Sequence, residues 1–271
     1  MTSTVPGEKS ALTPAAFLLR GLIAGLVAGL FTFAVAFALG EPHVDDAIAL
    51  EEAQAAAEPA PAPAAEEAEH EESGMVEISR ENQKSWGLLT GTLAIGTALG
   101  GLTALAAAAV VGRLGGLRAR GSTALVALIG FVSIALVPFL KYPATPPAVG
   151  DPDTINSRTT EYFGMLLVSV LAAIAAVVIA RRLSQRLDAF TAIVVAGAGY
   201  LVVVGVTAAL LPTVDELGTF PADTLWYFRR SSLLTLATLW GVIGVVLTGL
   251  VGKLYDRATA DAERRALAAS L

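Results

Sequence analysis

Six apolar runs, each roughly the twenty residues that an α-helix needs to cross about 30 Å of hydrocarbon, dominate this sequence. They lie at about Phe17–Leu39, Trp86–Val111, Thr123–Leu140, Tyr162–Ala180, Phe190–Leu211 and Ser231–Val251, and only Arg20 places a charge inside any of them. In lipid, backbone N–H and C=O groups must be satisfied inside a helix or a closed barrel. Barrel strands would alternate in polarity, whereas these runs are continuously apolar. The expected fold is therefore all-α, a polytopic integral membrane bundle of about six transmembrane helices forming one domain over residues 1–271. With only 15% of residues charged, too little polar surface remains to cover a soluble fold of this length.

Lys and Arg set the expected orientation. With the N-terminus inside, inner segments hold twelve of the eighteen basic residues, and outer segments hold Arg80, Lys84, Lys141, Arg158, Arg229 and Arg230. Both termini are thus expected in the cytoplasm. Nineteen acids against six bases leave the outer face at −13, and five acids against twelve bases leave the inner face at +7. A face that negative concentrates cations. Trp86, Tyr142, Tyr162, Trp226 and Tyr227 fall at the expected outer ends of spans, where amphipathic rings favour the headgroup level.

Lys9 and Arg20 precede the uninterrupted apolar part of the first run, and Ala36-Phe37-Ala38 resembles a signal-peptide cleavage site. The apolar stretch from Gly21 to Leu39 exceeds a signal core of about 7–15 residues, so it is expected to remain as a span; cleavage would leave five. Residues 53–78 open with AQAAAEPAPAPAAEEAEHEE, a low-complexity acidic stretch that cannot bury enough apolar surface to offset ordering. It is expected to be an external loop.

Several function classes drop out. The chain has no cysteine, which removes disulfides, thiolate zinc and cysteine nucleophiles. It has no GxxxxGK[ST] phosphate loop, HExxH or GxSxG, and no acid, base or nucleophile arrangement within the spans, so neither ATP hydrolysis nor another enzyme activity is expected. Nothing in it points to nucleic acid.

Gly21, Gly25 and Gly29 form a ridge at spacing four, with Gly87/Gly91 and Gly96/Gly100 on the second span. Such ridges let helices approach closely and imply a tight bundle or a homo-oligomer. Ser231, Thr235 and Thr238 make a polar stripe on the last span, suited to interhelical hydrogen bonds or a hydrated path. No Asp, Glu or His lies within the spans, although such residues usually mark ion pathways at bilayer depth. A cation site must then be built at the outer mouth.

Three outer clusters compete for that role. In GEPHVDDAIALEE (40–52), Pro42 suits the start of a new helix, which would set His43 and Asp46 one turn apart and Asp45 and Glu52 two turns apart. Glu41, His43, Asp45 and Asp46 offer the imidazole and carboxylate that divalent cobalt, nickel or zinc accept. Equally, Asp45 and Asp46 complement a helix N-terminus, with His43 as an interfacial residue. In KYPATPPAVGDPDT (141–154), Lys141 reads as a snorkelling cation, and Asp151 and Asp153 either form a turn or are held for metal by the intervening Pro152. The third cluster, 211–230, carries Asp215, Glu216 and Asp223. Asp223 there is a candidate N-cap, and Arg229 and Arg230 are candidate partners for the acids.

GEPHVDDAIALEE, LVPFLKYPATPPAVGDPDTINSRTTEYF at 136–163, and the later VDE, FPAD and LWYFRRSS resemble segments of the CbtA-type family of predicted cobalt transporter subunits, over nearly the whole chain. The resemblance implies Co²⁺ uptake for cobalamin synthesis across a prokaryotic plasma membrane. Co²⁺ would be the transported ion, with no permanently bound cofactor. It also implies a small single-span CbtB-type partner with a histidine-rich terminus. It carries over no ligand residues, and with only His70 in the acidic loop, metal capture by a histidine cluster of this chain is not expected. The competing expectation is a membrane scaffold that binds a partner and no metal.

Overall fold

A computed structural model describes residues 12–57, 78–114 and 116–270. These residues contain no strand. They form six helices long and apolar enough to cross a membrane: α1 (Pro14–Ala57), α2 (Arg80–Val110), α3 (Ala119–Lys141), α4 (Ile155–Leu183), α5 (Ala189–Leu210) and α6 (Ala222–Ser270).

Local signals set several ends. Thr13 accepts the Ala16 N–H at 3.1 Å ahead of Pro14, and Asp188 accepts the Thr191 N–H at 3.0 Å, so α1 and α5 begin on side-chain caps. Tyr142 leaves helical geometry at φ −126° and ψ 77°, in line with the preference of a residue before proline for non-helical backbone. Past its apolar run, α6 continues to Ser270 through an Ala- and Arg-rich stretch of good helix formers.

The first helix departs from expectation. No new helix starts at Pro42; α1 passes straight through it, widened into a π-turn at Ala36–Gly40. Proline lacks an N–H and its ring crowds the carbonyl four residues back, and the wide turn before it relieves both. The same device precedes Pro138, where Phe131–Leu136 is a π-turn within α3. Because α1 continues to Ala57, it takes in the first five residues of the stretch expected as a loop. Residues 58–77, with His70, lie outside the described residues, as do Glu8 and Lys9.

Lipid tails are as apolar as leucine, so close packing rather than water exclusion must hold membrane helices together. Gly21, Gly25 and Gly29 of α1 face Gly100, Gly96 and Thr92 of antiparallel α2, backbone against backbone. Gly87 and Gly91 do not extend this seam: Gly91 faces open space, and Gly87 meets only its own helix. Along the third side, α6 buries Leu247, Val251 and Leu254 against Phe17, Ala24, Ala104 and Ala107. Helix α3 packs on α6, with Trp240 seated in the notch left by Gly130, and Arg120 crosses Gly252 to reach Asp256 at 2.7 Å. Helices α4 and α5 form a pair, marked by Ser169 and Tyr200 hydroxyls 2.9 Å apart.

Candidate functional site

Three clusters far apart in sequence meet at one end of this bundle, the acidic end. Ala47 and Leu50 of α1, Ala148 and Val149 of the α3–α4 loop, and Leu217, Phe220 and Leu225 before and within α6 pack into one apolar knot. A cavity of about 1010 Å³ opens beside it. Its walls come from the wide turn of α1 (Ala36, Gly40, Glu41), the end of α3 (Leu140, Lys141, Tyr142), the start of α4 (Arg158, Tyr162) and the start of α6 (Phe228, Arg229, Ser231, Thr235).

Hydrogen bonds clamp the α3–α4 loop onto the α5–α6 loop. Lys141 Nζ donates to the Leu211 carbonyl at 3.0 Å, and the Tyr142 hydroxyl to that of Pro212 at 2.9 Å. Lys141 is therefore tied to the end of α5. The Asp151 N–H donates to Glu216 Oε2 at 2.9 Å, Arg158 Nε pairs with the same oxygen at 3.5 Å, and Arg158 Nη2 donates to the Asp151 carbonyl at 3.1 Å. Arg229 Nε donates to the Ala144 carbonyl at 3.4 Å. Burial, then the neighbouring Glu161 carboxylate, push the Tyr142 hydroxyl above the usual phenol range, so it remains a donor.

The sequence-nominated residues divide sharply. Glu41 lines the cavity and is bonded by Arg80, which also reaches Asp45 at 3.0 Å; Lys84 pairs with Asp45 at 3.3 Å. Asp45 thus turns to α2, while Glu52 stands two turns on along the same helix. His43 Nδ1 lies 3.7 Å from Asp46 Oδ2, the expected one-turn relation, and its ring stacks on Tyr227 at 5.7 Å. Asp151 accepts the Asp153 N–H at 2.9 Å, an Asx-turn, with both residues exposed. Asp215 is exposed, and Asp223 sits inside the first turn of α6, accepting the Thr224 N–H at 2.9 Å rather than capping from outside. Among the described residues, no three His, Asp or Glu side chains gather as a metal-binding group.

The cavity wall itself is mixed in charge, with Lys141, Arg158 and Arg229 against Glu41 and Glu216. Summing charge by loop cannot reveal this, because it hides which acids already hold a base. Among the described residues, Arg229 and Arg230 do not take carboxylates: Arg230 lies over the Tyr227 ring at 4.9 Å. The last-span hydroxyls bond back along their own helix, Ser231 to Phe228, Thr235 to Ser231 and Thr238 to Leu234, and of these Ser231 and Thr235 line the cavity. Glu161 went unnominated because it stands one residue before the apolar run. Among the described residues its Oε2 is buried without a hydrogen-bond partner, and the Arg158/Glu161 spacing of one turn was the available signal.

Glu216 gives the clamp a pH dependence. The Asp151 N–H, then the Thr154 hydroxyl, hold its carboxyl below the ordinary 4.5 against the opposing effect of burial, and Arg158 assists least. A depressed folded-state pKa means the clamp's contribution is complete above about 4.5 and is lost as pH falls through the lower folded value. Amide exchange in residues 142–154 is expected to quicken below that pH, and Glu216→Gln should remove the step. A profile flat through that range in the native protein would contradict it.

Comparison with family models matches residues 15–252 to the one described as "Probable cobalt transporter subunit (CbtA)". No curated protein and no solved structure matches the chain.

Proposed function

The chain belongs to the CbtA family of probable cobalt transporter subunits, and on that premise we propose that it forms the membrane conduit of a Co²⁺ uptake system supplying cobalamin synthesis. In this reading the acidic end faces outward, both termini lie in the cytoplasm, and the membrane is a prokaryotic plasma membrane. The single observation that carries it is the cavity at the acidic end, with Glu41 and Glu216 in its wall, each held by a guanidinium. A divalent cation competes with a guanidinium for a carboxylate, so Arg80 and Arg158 act as displaceable occupants. Asp45 and Asp46 along α1, and exposed Asp151, Asp153, Asp215 and Asp223, supply the field that draws the cation in, with His43 beside them as an imidazole donor. Ser231 and Thr235 continue the polar wall along α6.

Two carboxylates are fewer ligands than Co²⁺ takes from nitrogen and oxygen donors, so water and a partner subunit must complete the shell. A single-span CbtB-type subunit with a histidine-rich terminus fits that need. With no phosphate-binding loop in the sequence, the driving energy comes from the ion gradient or from a partner.

The test is radioactive cobalt accumulation in cells with and without the gene. At limiting cobalt, accumulation should fall when the gene is removed, and equal accumulation would sink the proposal. Glu41→Gln with Glu216→Gln should raise the cobalt concentration for half-maximal uptake by about tenfold, the loss of roughly one charge-assisted contact. Asp151→Asn with Asp153→Asn should have a smaller effect in the same direction. The engagement of every cavity carboxylate favours one other reading, a scaffold that binds a partner and no metal. Titration calorimetry on the purified chain separates the two, since a scaffold shows no saturable binding of Co²⁺.

A further inference from the structure

We propose that the cavity at the acidic end binds an oxyanion-bearing ligand, its carboxylate or phosphate group seated between Lys141 and Arg229. Both side chains line the cavity. Among the described residues, neither has a carboxylate within ion-pair distance, whereas Arg80, Lys84, Arg120 and Arg158 each do. Lys141 gives one hydrogen to the Leu211 carbonyl and otherwise lies over the Tyr142 ring at 5.4 Å. Arg229 gives only its Nε–H, at 3.4 Å, to the Ala144 carbonyl. The remaining Nζ and Nη hydrogens have no acceptor among the described residues, and the Nη pair of a guanidinium matches the two oxygens of a carboxylate or phosphate.

The acids in the same wall do not cancel these charges, because Glu41 is bonded by Arg80 and Glu216 by Arg158 and the Asp151 N–H. Lys141 and Arg229 are both partly withdrawn from water beside Tyr162, Phe163 and Phe228. Cations withdrawn from water without a counter-charge are costly, and an anion from outside the chain relieves that cost. At about 1010 Å³ the cavity is far larger than a bare ion and matches the upper range of small-molecule pockets, so an organic ligand fits it. The oxyanion comes either from a soluble carboxylate or phosphate compound or from the headgroup of an anionic lipid.

The experiment uses the full chain in neutral, phosphate-free detergent with no cobalt present, so its outcome is separate from that of the uptake assay. Citrate and inorganic phosphate are titrated by calorimetry, and retained lipid is identified by native mass spectrometry. The soluble source predicts saturable binding of one of these anions. It should weaken by about tenfold or more in Lys141→Gln and in Arg229→Gln, and be largely restored in Arg229→Lys. The lipid source predicts an anionic lipid that survives purification in the native chain and is lost from the same two glutamine variants. Arg230→Gln, altering the neighbouring exposed arginine, should leave either result unchanged. Should the glutamine variants fail to fold, the native chain and Arg229→Lys still decide the matter: no bound anion and no retained anionic lipid in either overturns the proposal. Folded glutamine variants that bind as the native chain does overturn it equally.

Discussion

Replacing Gly25 with valine is expected to part α1 from α2 and destabilise the whole bundle. A Cβ at this position falls 2.7 Å from the Gly96 carbonyl carbon and 2.8 Å from Thr97 Cα. These are backbone atoms of a continuous helix, so no side chain can swing aside. Overpacking typically costs about 1–3 kcal/mol, and a contact that must push one helix away from another belongs at or above the top of that range. The loss spreads because α6 packs its Leu247 and Val251 against the surface that α1 and α2 make together. Gly100→Val tests the seam from the other side, where a Cβ meets Gly25 Cα at 2.6 Å. Gly91→Ala is the control, since nothing lies within 4 Å of its added carbon and alanine gains roughly 1 kcal/mol of helix propensity. Thermal unfolding in detergent reads all three. An unchanged midpoint for Gly25→Val would refute the close approach.

Gly150→Val is expected to open the clamp without removing any charged group. Gly150 holds φ +114°, a region that a β-branched residue enters only at a cost of about 1–3 kcal/mol. Its added Cβ would also meet the Arg158 guanidinium, 2.8 Å from Cζ. Arg158 is the flexible partner and must move, which breaks its pairing with Glu216 and its bond to the Asp151 carbonyl. Protease cleavage within residues 142–154 should rise, and half-maximal cobalt uptake should shift to higher concentration. Gly218→Val separates the two causes, because φ there is +52° but the space beside it is open. If Gly150→Val leaves both cleavage and uptake as they were, Arg158 does not hold this loop.

Much of the fold was legible because membrane crossing is a local property: each run is apolar for its whole length whatever it packs against. The glycine ridge of α1 was legible for the same reason, spacing four being one helix face. Its partner was less so, since Gly87, Gly91, Gly96 and Gly100 read alike in sequence and only the last two meet α1. Pro42 misled because proline at a helix start and proline inside a helix relieved by a wide turn look identical in sequence. In the candidate site, the His43–Asp46 relation was foreseen, being one turn on one helix. The mixed charge of the cavity was not.

Six runs long enough to cross, an all-helical class and three acidic segments between them can be read from the chain alone, because hydrocarbon imposes length and continuity on each span separately. Only the tertiary structure decided which of those acids face a cavity and which are already paired. Arg80 reaches Glu41 across 39 positions of sequence, and Lys141 reaches the Leu211 carbonyl across 70. Such pairings depend on how closely the helices pack and on how they are rotated about their axes. Both follow from contacts between helices, which no single run of residues contains.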